Sequence, residues 1–95
     1  MNNSLLGKYV TYKENIYLVV RINGERILLL SPNKGKVEVK ITSVTTTNYK
    51  PARLVTNRGK DYLVTDKHLI VSLTTWNVVH KDSSDGIRKE ILSYL

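Results

Sequence analysis

Basic side chains interleaved with tyrosines are the chemistry this chain has to offer. Lysine and arginine neutralise phosphates, and tyrosine rings stack on bases or sugars, so the combination suits a nucleic-acid strand. Tyr9, Tyr17, Arg21, Lys36 and Lys40 fall in alternating segments at positions that period-2 reading puts on outward faces, with Lys34 in the turn before the last two. Asn57-Arg58-Gly59-Lys60, with Arg53 upstream, offers a second phosphate contact at a turn. The same residues also suit a purely structural role: cross-strand tyrosines fit a pleated surface, and lysines blunt an edge strand against aggregation.

Charge is distributed unevenly. Residues 1–60 hold eleven Lys or Arg against three Glu, a net of +8, whereas residues 61–95 hold four bases against five acids. A field so lopsided attracts polyanions, which makes DNA or RNA the first expected partner. The alternative is a protein-interaction module whose basic face docks on an acidic protein surface.

Catalytic and metal-binding readings find little support. There is no cysteine, so thiolate sites and disulfides are excluded. His68 and His80 stand twelve apart with no matching ligand cluster, and no metal or other cofactor is expected. Trp76 reads as a core plug more readily than as a stacking platform. Glu38-Val39-Lys40 resembles the acid-x-Lys core of restriction-type nucleases, which also need a preceding acid on a neighbouring strand. Glu25, beside a turn, is the only nearby choice, and the helix of that core is missing. No catalytic residue is assigned, and the chain is read as a binding protein rather than an enzyme.

The elements that must position these residues are mostly strands. Ninety-five residues, 41% of them hydrophobic, suit a single globular domain spanning 1–95. Alternation gives strands over 8–13, 16–22, 27–30 and 36–41. Ile16, Leu18, Val20 and Ile22 lie on one side of the second, with Tyr17, Val19 and Arg21 opposite. Asn23-Gly24 reads as the centre of a type I′ hairpin turn, and Ser31-Pro32-Asn33-Lys34-Gly35 as another turn. The Thr-rich stretch 43–50 reads as a connection. Weaker strands follow over 52–56, 61–65 and 69–73, with a short one at 76–80. Ile87, Ile91 and Leu95, with Leu92 alongside, then recur at helical spacing behind the candidate caps Ser83, Ser84 and Asp85, predicting one amphipathic helix over about 84–95.

Val10-x-Tyr12, Tyr17-x-Val19-Val20-x-Ile22-Asn23-Gly24, Leu28-Leu29-Leu30 and Val37-x-Val39 resemble the small SH3-like barrels of the KOW and Tudor type. That resemblance implies binding of nucleic acid, or of a protein tail in an aromatic cage. Tyr62-Leu63-Val64-Thr65 with Leu69-Ile70-x-Ser72-Leu73 is similar to the modular DNA-binding segments of phage homing endonucleases, with Thr65 where serine is usual and Lys67-His68 in place of the Gly-Arg turn. Short basic chains of this style also look like small tailed-phage gene products, which would place the protein in a host cytoplasm and make a host protein a second expected partner.

The N-terminus lacks the pattern of a signal peptide, and no apolar run approaches a membrane span, so a cytoplasmic protein without membrane contact is expected. The overall expectation is a mainly β protein: a small antiparallel SH3-like barrel or bent sheet, strand-rich over 8–80, with one C-terminal α-helix. Its function is expected to be DNA or RNA binding through backbone phosphates. The oligomeric state is left open.

Overall fold

A computed structural model describes residues 5–79 and 87–93 of the chain. It divides into two compact units, Met1–Pro51 and Ala52–Leu95. Among the described residues the architecture is mainly β and antiparallel, with one short C-terminal helix. No helix among the described residues is long and apolar enough to cross a membrane.

The first unit is a five-stranded sheet in the order β4-β3-β2-β1-β5. Its strands are β1 (Tyr9–Tyr12), β2 (Asn15–Asn23), β3 (Arg26–Ser31), β4 (Gly35–Lys40) and β5 (Thr45–Thr46). The first four match the expected strands to within a residue or two. β5 lies inside the stretch expected to be a connection. A single 3₁₀ turn, Ile41–Ser43, redirects the chain, and Thr45 and Thr46 then pair with Thr11 and Val10. Val44-Thr45-Thr46-Thr47 is a run of β-branched residues, the type that packs best on a pleated surface.

Side chains on one face of this sheet form its core: Val10, Tyr17, Val19, Ile27, Leu29 and Val39, with Tyr12, Ile22, Val37 and Val44 packed against them. Alternation on β2 therefore does not run as its sequence suggests. A β-bulge at Val20 shifts the register, so that Val19 faces Leu29 while Arg21 faces the next residue back, Leu28. One extra residue reverses the phase of everything beyond it. Tyr17 and Val19 point into the core on one side of the bulge, Ile22 does so on the other, and Arg21 is turned out.

The hairpins divide by their backbone angles. The β2–β3 loop is Gly24-Glu25, since Asn23 pairs with Arg26. Only Gly24 has positive φ, at 62°, the pattern of a type II′ turn rather than the type I′ turn expected at Asn23-Gly24. The β1–β2 loop, Lys13-Glu14, has positive φ at both positions (48° and 66°) although neither residue is glycine.

The second unit is a three-stranded sheet of β6 (Arg53–Asn57), β7 (Lys60–Val64) and β8 (Ile70–Ser72). Arg58-Gly59 closes the first hairpin with positive φ at both positions, as a type I′ turn requires. Thr65 anchors the next turn: its buried hydroxyl accepts a hydrogen bond from the Leu69 amide (3.0 Å), and its carbonyl accepts one from His68 (3.0 Å). The strand expected over 76–80 is reduced to a single bridge between Val78 and Val71. Helix α1 (Ile87–Leu92) inserts Ile91, fully buried, among Tyr62, Val64 and Ile70. The expected caps Ser83, Ser84 and Asp85, and Leu95 of the expected stripe, lie outside the described residues.

Candidate nucleic-acid interface

Cross-strand register decides which basic residues meet. On the sheet face opposite the core, Arg21, Leu28 and Glu38 form one row, Arg26 and Lys40 form the next, and Leu18, Leu30 and Lys36 form a third, in which both leucines are buried. Directly opposed Cβ atoms in such pairs are about 5 Å apart. Arg21, Arg26, Lys36 and Lys40 are all exposed, with Glu38 among them and Glu25 in the turn beside Arg26. Lys34 is exposed too, in the turn before β4, where its amide donates to the Ser31 carbonyl (3.3 Å).

Arg26 is absent from the residues that sequence patterning picks out, because it stands beside a turn rather than on an alternating stretch. The hairpin register brings it opposite Lys40. Like charges in direct opposition destabilise an antiparallel pair.

The two tyrosines have different fates. Tyr17, expected on an outward face, is 8% exposed and belongs to the core, its ring edge-on to Tyr12 with centroids 6.2 Å apart. The Tyr17 side chain is therefore closed to a ligand. Burying its large ring outweighs exposing it, and the bulge at Val20 lets Arg21 stay outside in the same strand.

Tyr9 lies on the face away from the core, half-buried, with its ring edge-on to Tyr49 at 6.2 Å and 78° between planes. Tyr49 is more than half exposed. The segment that carries it is fixed to β1 by Thr47, whose hydroxyl donates to the Tyr9 carbonyl (2.9 Å) and accepts from the Tyr49 amide (3.3 Å). Sequence patterning misses Tyr49 because it sits in the presumed connection. The available signal is its aromatic-basic pairing with Lys50, next to a β-branched run.

Arg53, Arg58 and Lys60 belong to the second unit and are not brought together as a phosphate cradle. Arg53 and Asn57 stand at opposite ends of β6, so Arg53 lies about 13 Å from the turn by strand rise. Arg58 is engaged by Glu90 of α1 through two contacts, Nε to Oε1 at 3.1 Å and a terminal guanidinium nitrogen to Oε2 at 3.0 Å. Lys60 is exposed at the start of β7. The first unit, with eight bases and three acids (+5), carries more of the net charge than the second, with seven and five (+2).

Comparison with protein-family models, with curated proteins and with solved structures returned no match to this chain.

Proposed function

We propose that the chain is a nucleic-acid-binding protein that grips backbone phosphates through Arg21, Arg26, Lys36 and Lys40, with Lys34 at the margin. The observation that carries this reading is the direct opposition of Arg26 and Lys40, both exposed, at one end of the β3–β4 ladder. An unliganded sheet is weakened by such a pair, and a phosphate placed between the two cations removes the penalty and gains two charge-assisted contacts. Glu38 and Glu25 offset only part of the local charge. The five-stranded meander with short turns, its last strand returning to its first, supports an SH3-like reading of the first unit. A phage protein acting in a host cytoplasm is part of the proposal on the strength of the basic charge and the resemblance of residues 62–73 to phage DNA-binding segments.

The test is a gel-shift series with duplex DNA, single-stranded DNA and RNA at low salt. Binding tighter than about 100 µM to at least one of them, abolished by charge reversal at Lys36 and Lys40, is the expected result, since even non-specific binders reach that range. No shift with any of the three would overturn the reading. Retained nucleic-acid binding with loss of a host-protein complex on the same reversal would transfer the basic face to a protein partner.

A further inference from the structure

The edge of the first sheet around β5 holds a surface that phosphate binding does not use. Thr11, Ile16, Thr47, Asn48 and Tyr49 line an open groove of about 530 Å³, within the size range of small-ligand clefts. Ile16 is 46% exposed and Tyr49 58%, so the groove has an apolar lining open to solvent. The Tyr49 ring is nevertheless held in place. Tyr9 meets it edge-on, and the two hydrogen bonds of the Thr47 hydroxyl tie its backbone to β1.

We propose that this groove is a base-stacking subsite for single-stranded nucleic acid. An exposed ring with a fixed orientation is what a base needs to stack on, and an aliphatic side chain beside it suits a flat apolar ring. Asn48 adds an amide that both donates and accepts, the combination that pairs with a base edge. Charge selects a polyanion over a neutral peptide: Lys50 follows Tyr49 directly, whereas Lys13, in the neighbouring hairpin turn, is engaged by the Tyr12 ring. A duplex keeps its bases stacked on one another and offers nothing to Tyr49, so the groove confers preference for single strands. This inference rests on the phosphate-binding reading of the basic face.

The experiment measures fluorescence anisotropy of a labelled oligothymidine, and of the same strand annealed to oligoadenine, titrated with the wild-type chain, Tyr49→Ala, Tyr49→Phe and Lys40→Glu. Melting curves confirm that each variant folds. Tyr49→Ala is expected to weaken single-strand binding about tenfold, in line with the loss of one stacked base. It should leave duplex binding within about twofold, and Tyr49→Phe, which keeps the ring, should restore the single strand. Lys40→Glu should weaken both. If Lys40→Glu weakens both and Tyr49→Ala changes neither, the stacking subsite is wrong while the phosphate-binding face stands. An equal loss on single strand and duplex in Tyr49→Ala also overturns the subsite. If the wild-type chain binds neither oligonucleotide, both readings fall together.

Discussion

Arg26 on β3 and Lys40 on β4 are direct cross-strand partners, two exposed cations set about 5 Å apart at their Cβ atoms. Stability and binding therefore pull in opposite directions at this pair. Lys40→Glu converts a like-charge opposition into an opposite-charge one, which is worth about 0.5 to 1 kcal/mol in an antiparallel pair. For a chain of this size the melting temperature should rise by about 2 to 8 °C. Affinity for nucleic acid should fall several-fold, because one phosphate contact becomes a repulsion. A variant that melts lower and binds no worse would remove the functional reason for the pair.

Ionic strength gives a count of the contacts. If Arg21, Arg26, Lys36 and Lys40 neutralise four phosphates, the slope of log K against log salt should be about −3.6 for duplex DNA and about −2.8 for a single strand. Arg58, engaged by Glu90, should add nothing, and Arg58→Ala should leave the slope unchanged. A slope steeper by a full unit for wild-type than for Arg58→Ala would return that residue to the interface.

The Lys13-Glu14 turn stores avoidable strain. Both residues adopt left-handed backbone angles, which cost non-glycine residues about 1 kcal/mol or more each. The double substitution Lys13→Asn with Glu14→Gly supplies the Asn-Gly pair that a type I′ turn prefers. One contact opposes the change: the Lys13 ammonium sits 5.4 Å from the Tyr12 ring centroid, a cation–π interaction worth about 0.5 to 1 kcal/mol at an exposed site. A net gain of about 1 kcal/mol in chemical denaturation is expected from the difference between these two effects. A loss of stability would mean that the side-chain contact outweighs the backbone strain.

Most strands are legible because their alternation is clean: Val37, Val39 and the lysines flanking them read the same way in sequence and in space. Residues 16–20 are not, because Ile16, Tyr17, Leu18, Val19 and Val20 are all apolar and period 2 cannot choose a face among them. The bulge at Val20 then breaks the rule that would carry the choice along the strand. Tyr17 is misplaced by its sequence for that reason. Tyr49 and Arg26 escape notice for another: each becomes notable through a partner distant in sequence, Tyr9 and Lys40 respectively, and no local pattern encodes such a pairing. The Asn23-Gly24 signal marks the hairpin correctly but lies one residue early, since Gly24 occupies the first central position rather than the second.

Two kinds of contact attach helix α1 to the second sheet, apolar burial and an ion pair, and their magnitudes decide which one matters. Ile91 is fully buried among Tyr62, Val64 and Ile70, so Ile91→Ala removes buried methyl groups and leaves a cavity, costing about 2 to 4 kcal/mol. The Arg58–Glu90 pair has good two-contact geometry, but Arg58 is 69% exposed and solvent screens it, which limits its contribution to under about 1 kcal/mol. A helix of six residues has almost no stability of its own, so its fate follows the stronger attachment. In urea titrations, Ile91→Ala should lower stability at least about twice as much as Glu90→Ala, and salt at about 1 M should narrow the effect of Glu90→Ala while leaving that of Ile91→Ala unchanged. A larger loss from Glu90→Ala would mean that the helix is held by its charged rim rather than by its buried face.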